Sequence, residues 1–343
     1  MAIVAGFDVH RSQITYDALD SETGELARGR IESTAVAVRA WVERFPGRQI
    51  EVAVEACTGW LFVCQALGEA GAVAHLAEPA ETSARRGSKR RAKTDRADAR
   101  HLRELLAQGR LPEAWIPPAH VVEWRTGTRL RKTLVDERTQ WLQRIRATLF
   151  HYGVPASQVP ERLLSAQGRA FLGSVALPPA AAERIRVALA LIAAIETELL
   201  PLERELAALA RRQPGCQALM REYGIGPVIA LTVLCEIGDV SRLSSSRKAV
   251  RAFGLDIGVH RSDRRSRPGK LTKQGSPIAR WALYEAAQSA TRTGSPDHVA
   301  YLELKARGLS HTRRSLTIAR KLARRCYHRL RELGPAALDP VAD

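Results

Sequence analysis

The sequence is short of acidic residues relative to basic ones. Its 343 residues include 36 Asp and Glu against 53 Lys and Arg, which leaves a formal net charge of +17. Such an excess is uncommon in enzymes that act on small metabolites, and it indicates a polyanionic partner, most simply nucleic acid. An anionic membrane surface is the alternative partner for a chain of this charge.

The sequence also lacks the marks of disulfide-rich, zinc-binding and membrane-spanning proteins. Its five cysteines are scattered and never spaced as CxxC, which argues against a disulfide framework or a structural zinc site and suits a reducing cytosol. No apolar run approaches the roughly 20 residues of a membrane span. The N-terminus has no basic start followed by an apolar stretch. We therefore expect a cytoplasmic protein with no membrane partner.

The pattern of apolar residues divides the chain into three parts and a tail. Residues 1–118 alternate short apolar runs with amphipathic stretches, which predicts an α/β domain with a mixed sheet. Residues 119–212 predict long helices in an antiparallel hairpin or coiled coil, either a plain connector or an oligomerisation element. Residues 213–333 are expected to be mostly helical with basic loops, and residues 334–343 to form a loose tail.

Turn residues separate the elements predicted in the first part. Glu22-Thr-Gly24 indicates a hairpin turn, and Gly71 indicates the end of a helix. The predicted strands cover residues 3–7, 13–19, 26–31, 50–56 and 72–76, and the predicted helices cover residues 35–44, 60–70 and 95–108.

Four carboxylates stand where such strands and helices could bring them together. Asp8 and Glu55 end predicted strands, while Asp95 and Asp98 are spaced to lie on one face of a helix. Carboxylates that converge repel one another unless a cation lies among them, and oxygen ligands suit Mg²⁺ or Mn²⁺. Two such ions are a common device for phosphodiester chemistry. The alternatives are a turn residue for Asp8, a strand-end charge for Glu55, and a helix cap with a first-turn acid for the last two.

Basic residues crowd around the last two of these acids. Residues 84–103 contain nine Lys or Arg, which is what a phosphate backbone entering a metal site requires. We expect them to position nucleic acid rather than to read its sequence. The predicted contacts are Arg85, Arg86, Lys89, Arg90, Arg91 and Lys93.

A glycine pair and a basic loop are further candidates for contact with nucleic acid. Gly224-Ile-Gly226 before an apolar helix predicts a hairpin whose backbone amides approach a phosphate; a tight turn between two buried helices is the alternative. Downstream, Ser262 and Ser266 lie among basic residues that would stabilise charge at phosphorus if a serine were the nucleophile; a serine that only contacts DNA is the alternative. The basic residues are Arg261, Arg264, Arg265, Arg267, Lys270 and Lys273.

Several of these segments, taken together and in order, resemble the insertion-sequence one-ten family of transposases. The resemblance covers nearly the whole chain, and the KTDRADAR segment with its C-terminal partner block is its most specific part. The matching segments are residues 7–10 (FDVH), 54–59 (VEACTG), 93–100 (KTDRADAR), 224–226 (GIG), 252–255 (AFGL), 270–275 (KLTKQG) and 280–283 (RWAL).

This resemblance implies a RuvC-like, RNase H-type N-terminal domain whose DEDD acids, Asp8, Glu55, Asp95 and Asp98, bind divalent metal. It also implies a serine nucleophile at Ser262, a phosphoserine link to DNA, and a composite site formed from both domains. Asp263 follows Ser262 where the family pattern has glycine, so Ser266 is a rival position. Trp60 also departs from the family pattern.

The resemblance further implies particular partners and an assembly. The enzyme would act on donor and target DNA, guided by a structured non-coding RNA that pairs with both. It would be a bacterial protein, nucleoid-associated when bound to DNA, and a dimer that becomes a tetramer when active. The sequence has no P-loop, as expected if a serine link conserves the bond energy without ATP. The alternatives are a hydrolytic nuclease of the Holliday-junction resolvase type and a non-catalytic nucleic-acid-binding protein.

Overall fold

The computed structural model describes residues 2–85, 94–262 and 265–341, with the backbone alone for part of residues 259–270. The chain separates into two compact units, Met1–Ile116 and Pro117–Asp343. The long helices expected to form a connector belong to the same unit as the C-terminal helices. The further division at residue 212 stays a prediction.

The N-terminal unit is a mixed α/β structure, as predicted. Its strands are β1 (Ala2–Val9), β2 (Gln13–Asp20), β3 (Leu26–Glu32), β4 (Gln49–Glu55) and β5 (Val73–Ala77). Its helices are α1 (Ala35–Val42), α2 (Trp60–Glu69), α3 (Pro79–Ala84) and α4 (Asp95–Ala107). The predicted boundaries of the five strands and of α1, α2 and α4 agree with these within about two residues, the usual uncertainty of helix ends. The short helix α3 was not predicted.

The five strands form one sheet in the order β3-β2-β1-β4-β5. β1 pairs antiparallel with β2 and parallel with β4, and β4 pairs parallel with β5. β1 is therefore an interior strand, and all its residues from Ile3 to Val9 are buried. The C-terminal ends of β1 and β4 meet at the same edge because these strands run in the same direction.

An aromatic cluster joins α1 to the sheet. The indole ring of Trp41 is fully buried and meets Phe7 of β1 edge-on, with the ring centroids 4.8 Å apart. Tyr16 of β2 packs on the same indole. Edge-to-face pairs of this kind add to the stabilisation from buried apolar area. They hold α1 against β1 and β2.

Helix α4 lies very close to β1 and β2. A Cβ atom added at Gly6 would lie 2.1 Å from the carbonyl oxygen of Ala99 and 2.6 Å from the backbone nitrogen of Arg103. Gly6 is therefore required because the helix backbone occupies the space of a side chain. This contact brings the first turn of α4, with Asp95 and Asp98, towards the end of β1.

A buried ion pair holds α4 in place at Arg103, about one and a half turns after Asp98. The guanidinium of Arg103 donates to the carboxylate of Asp17 on β2, and both side chains are less than one tenth exposed. Arg28 of β3 donates to the second oxygen of Asp17 at 2.7 Å. Loss of Asp17 would remove the main partner of the buried Arg103 guanidinium, which is costly. The pair therefore holds α4 in one register on the sheet.

The C-terminal unit is mostly helical. Its helices are α5 (Ala119–His151), α6 (Ala166–Ser174), α7 (Pro179–Arg212), α8 (Pro214–Met220), α9 (Pro227–Ile237), α10 (Ser246–Ala252), α11 (Pro277–Gln288), α12 (His298–Ala306) and α13 (His311–Leu333). In the described part of the chain, no helix combines the length and apolar character needed to cross a bilayer.

The two longest helices, α5 and α7, form the antiparallel pair expected from the sequence. Arg131 contacts Glu203, and seven residues later Arg138 contacts Glu196, so the partners run in opposite directions. The predicted chain breaks fall where α5 ends and α7 begins. The supercoil of a coiled coil stays a prediction.

A β-hairpin interrupts the helices of this unit, and the sequence pattern did not reveal it. Strands β6 (Ile257–Ser262) and β7 (Arg265–Leu271) pair antiparallel. Their sequence is rich in arginine and serine, and Ile257 and Val259 are its only β-branched residues, which is few for a pair of strands. The predicted basic loop is therefore corrected to a basic hairpin that contains Ser262.

Gly6→Ala should destabilise the protein by about 1–3 kcal/mol, because the added methyl group overlaps the backbone of α4. Urea unfolding followed by circular dichroism measures the change in the free energy of unfolding.

Gly68→Ala is the matched control. Gly68 is in α2, and an added Cβ there would meet nothing within 4 Å. Alanine at this helical position should stabilise by about 0.4–1 kcal/mol. A Gly6→Ala protein as stable as the wild type would contradict the close contact between α4 and β1.

Candidate metal centre

The four predicted acids are positioned by two strands and one helix. Asp8 is the second-to-last residue of β1, and Glu55 ends β4 beside it, since Phe7 is paired with Val54. Asp95 and Asp98 lie in the first turn of α4. The side chain of Thr94, not that of Asp95, caps this helix by accepting from the backbone N–H of Ala97. The carboxylate of Asp95 is therefore not used as the helix cap.

Two residues outside the predicted set complete the arrangement. His10 Nε2 lies 3.2 Å from Asp8 Oδ2 and 3.5 Å from Asp95 Oδ1. Gln13 donates through Nε2 to the other oxygen of Asp95 at 3.4 Å. Asp8, His10 and Asp95 each offer a ligand atom, and these atoms lie within 4.8 Å of one another. This is a geometry in which one cation could contact all three.

The electrostatics of Asp8 show that the acids influence one another. Burial of its side chain raises the pKa of Asp8, and the charges of Asp98, Asp95 and Glu55 raise it further. His10 acts in the opposite direction. Ionised carboxylates held this close are costly without a positive charge among them. The donor set, mostly hard oxygen atoms, therefore fits a divalent cation such as Mg²⁺ or Mn²⁺.

Of the predicted phosphate contacts beside this site, the structure describes Arg85. Its guanidinium donates to the carbonyl oxygen of Arg110, so it ties the end of α3 to the chain that follows α4. A structural role for Arg85 is thus visible, and its contact with nucleic acid stays a prediction. Outside the described residues lie Arg86, Lys89, Arg90, Arg91 and Lys93.

The predicted serine site lies in the β6–β7 hairpin. Ser262 is the last residue of β6 and is paired with Arg265 across the hairpin. Lys273 follows β7, is exposed, and has a positive φ of 57°. The nucleophile and its basic neighbours stay predictions, because Arg264 and the side chains of Arg261, Ser262, Arg265, Ser266, Arg267 and Lys270 lie outside the described part.

The turn at Gly224 and Gly226 joins α8 and α9. Gly224 has a φ of +88°, and a Cβ there would lie 2.6 Å from the carbonyl oxygen of Ala286 in α11. Packing against α11 therefore explains this glycine, as the tight-turn alternative expected. Gly226 has open space around it, but the next residue, Pro227, has no N–H to offer a phosphate. The phosphate contacts of both glycines stay predictions.

The last long helix carries a basic surface that the sequence analysis missed. Arg313, Lys321 and Arg324 lie on one side of α13, within an arc of about 80°. Within the part of the chain that the structure describes, none of the three is ion-paired to a carboxylate. Burial lowers the pKa of Arg320, and the positive charge of Arg324 lowers it further. The signal available in the sequence was the helical spacing of basic residues between His311 and Leu333.

Two family models match the chain. One, described as transposase and of the DEDD type, covers residues 5–153, and it includes all four acids. The other, described as the transposase IS116/IS110/IS902 family, covers residues 216–303, and it includes the β6–β7 hairpin. Together they span more than two thirds of the chain. These two domain matches, in this order along the chain, define the protein as a transposase by class. The chain carries transposase domains of the IS116/IS110/IS902 family.

Individual relatives agree with this assignment. A probable family 20 transposase of Pseudomonas aeruginosa is 25% identical over 70% of this chain and 71% of its own length. The transposase for insertion sequence element IS1111A of Coxiella burnetii is 24% identical over 58% of this chain. An uncharacterized protein of insertion element IS116 from Streptomyces clavuligerus is 24% identical over 60% of this chain. The chain spans about half the length of the last two, 55% and 50%.

Asp8→Asn should raise the melting temperature of the metal-free protein at neutral pH. A pKa raised by folding means that ionised Asp8 destabilises the native state. This destabilisation is complete above the raised pKa and disappears as the pH falls below the ordinary pKa of aspartate. The gain in melting temperature should therefore shrink towards acidic pH, as measured by calorimetry with a chelator present.

Glu43→Gln, which removes an exposed carboxylate after α1, controls for the change in net charge. An Asp8→Asn protein that melts below the wild type at neutral pH would contradict a destabilising, ionised Asp8 with a raised pKa.

Proposed function

We propose that the protein catalyses divalent-metal-dependent DNA strand exchange during transposition of an insertion sequence. The observation that carries this proposal is the convergence of Asp8, Glu55, Asp95 and Asp98 on one edge of the N-terminal sheet. The charges of the other three raise the pKa of Asp8. Asp8 and Asp95 both approach His10 Nε2, at 3.2 and 3.5 Å. Family membership supports DNA as the substrate.

In this proposal the acids hold Mg²⁺ or Mn²⁺, which would activate the attacking oxygen and stabilise the leaving oxygen at phosphorus. Asp8 and Glu55 are fixed by the paired ends of β1 and β4. Asp95 is oriented by the hydrogen bond from Gln13. Asp98 is buried one turn along α4, on the side that faces the sheet.

We assign the N-terminal unit to the RuvC-like, RNase H-type class. A five-stranded sheet with three antiparallel strands followed by two parallel ones supports this assignment. So does the placement of acids at the ends of β1 and β4 and on a helix packed against the sheet. In such a domain the sheet fixes the carboxylates and leaves the edge open to a phosphodiester.

We further propose that Ser262 is the nucleophile. Its Oγ would attack phosphorus, lose its proton, and form a serine–DNA phosphodiester while a deoxyribose hydroxyl leaves with a proton. One phosphodiester is formed for each one broken, so no ATP is needed. The family match over residues 216–303 and the basic composition around the hairpin support this assignment. Ser266 is the rival on the opposite strand, since it is paired with Arg261.

The remaining parts of the proposal concern partners and assembly. A structured guide RNA would pair with donor and target DNA, and the net charge of +17 would serve both kinds of backbone. The active form would be a tetramer built from dimers, with the α5–α7 pair as the oligomerisation element. Leu130, Leu191 and Leu200 on these helices are exposed and available for such contacts.

Covalent capture tests the chemistry. The protein is incubated with Mg²⁺, donor and target DNA, and RNA transcribed from the flank of the element, and the products are run on denaturing gels. A protein–DNA adduct should form, and it should be abolished by Ser262→Ala and by Asp95→Asn, because one change removes the nucleophile and the other a metal ligand. Ser266→Ala should leave the adduct intact.

The other outcomes discriminate between the alternatives. Cleavage without an adduct, unaffected by Ser262→Ala, would indicate a hydrolytic nuclease of the resolvase type. An adduct lost only in Ser266→Ala would move the nucleophile to that residue. DNA binding without cleavage under any condition would indicate a non-catalytic nucleic-acid-binding protein.

A second experiment tests the basic surface of α13. Replacing Arg313, Lys321 and Arg324 together by Gln should weaken binding to duplex DNA, since these side chains extend over about 16 Å of helix. Each lost phosphate contact should reduce the slope of log affinity against log salt by about 0.9. Fluorescence anisotropy at several salt concentrations measures both effects.

Arg186→Gln is the control for the loss of positive charge. Arg186 is exposed on α7 but is already paired with Glu183. Its replacement should leave the salt slope unchanged. An unchanged slope in the triple variant would exclude α13 from the DNA-binding surface.

A further inference from the structure

His10 follows the last residue of β1 in the turn that leads into β2. Its backbone N–H donates to the carbonyl oxygen of Gln13 at 2.9 Å. This hydrogen bond closes the turn and fixes the backbone from which the imidazole extends. The ring is half-exposed, but its Nε2 points to the two carboxylates rather than to solvent. The turn therefore places a nitrogen ligand beside Asp8 and Asp95.

The distances around Nε2 fit a shared cation. Neighbouring ligands on an octahedral ion with bonds of about 2.1 Å lie about 3 Å apart. His10 Nε2 lies 3.2 Å from Asp8 Oδ2 and 3.5 Å from Asp95 Oδ1. A neutral imidazole has one lone pair at Nε2, or one proton, and neither can be directed fully at two carboxylates. A cation between the three atoms would use that lone pair and both oxygens.

We propose that His10 is a direct nitrogen ligand of the divalent ion, so that the site has mixed nitrogen and oxygen ligands instead of four carboxylates alone. This inference rests on the proposed metal-dependent function. Imidazole binds Mn²⁺ better relative to Mg²⁺ than carboxylate oxygens do. The site should therefore prefer Mn²⁺, and His10 should be a source of that preference. The alternative is that His10 only hydrogen-bonds to the two acids.

Pulsed electron paramagnetic resonance on the full-length protein with Mn²⁺ alone tests the ligand directly. The wild type should show electron spin echo modulation from a coordinated ¹⁴N nucleus, and this signal should change to that of ¹⁵N when the histidines are ¹⁵N-labelled. His10→Gln should abolish the modulation. It should also weaken Mn²⁺ binding by about tenfold or more, with a smaller effect on Mg²⁺, as measured by titration calorimetry.

His75→Gln is the matched control. His75 is in the same unit and also contacts carboxylates, with Nδ1 3.1 Å from Glu113, but it is on β5, away from β1. Its replacement should leave both the modulation and the affinity unchanged. Melting curves of both variants show whether either change disturbs the fold.

The outcomes separate this inference from the proposed function. Mn²⁺ that binds the wild type and is released by Asp8→Asn, but shows no ¹⁴N modulation, would overturn the role of His10 and leave the carboxylate site standing. Modulation that survives His10→Gln would do the same. A wild-type protein that binds neither Mn²⁺ nor Mg²⁺ would overturn the metal-dependent function together with this inference.

Discussion

The close contact between Gly6 of β1 and the backbone of α4 is the constraint on which the N-terminal site depends. A helix whose backbone lies where a side chain would be cannot shift without losing that packing. Its first turn carries Asp95 and Asp98, and one and a half turns later Arg103 is held by Asp17. The same helix is thus anchored along its middle, at Ala99 and Arg103, and carries acids in its first turn. The fold offsets the repulsion among those acids with contacts made elsewhere on α4.

The sequence predicted this unit well because its signals are local. Short apolar runs ended by turn residues predict the strands, and the spacing of Asp95 and Asp98 predicts that both face one way. It did not reveal His10 as part of the cluster, because the position of that ring depends on the turn between β1 and β2 and on a helix 85 residues further along the chain. Contacts so far apart in sequence leave no periodic pattern.

The C-terminal unit was predicted less completely than the N-terminal unit. Its long helices were expected from apolar spacing, but the β6–β7 hairpin was not, since arginine and serine have little strand propensity of their own. Pairing between neighbouring strands overrides that preference. The basic face of α13 was overlooked for a different reason, because its charges are interleaved with the apolar positions that pack on α10 and α11. The burial of each residue in the structure shows which positions of α13 pack in the core and which present charge on the surface.

The α5–α7 pair has a small core of its own where α5 ends and α7 begins. Ile145, Leu149, Ile185 and Ile192 are buried there together with Leu163 and Leu172 from the intervening chain. The other end of the pair packs on α9. Because separate sets of buried contacts stabilise the two ends of the α5–α7 pair, the two ends need not unfold together. In amide hydrogen exchange such a hairpin would behave as two cooperative segments along one continuous pair of helices, each closing independently of the other.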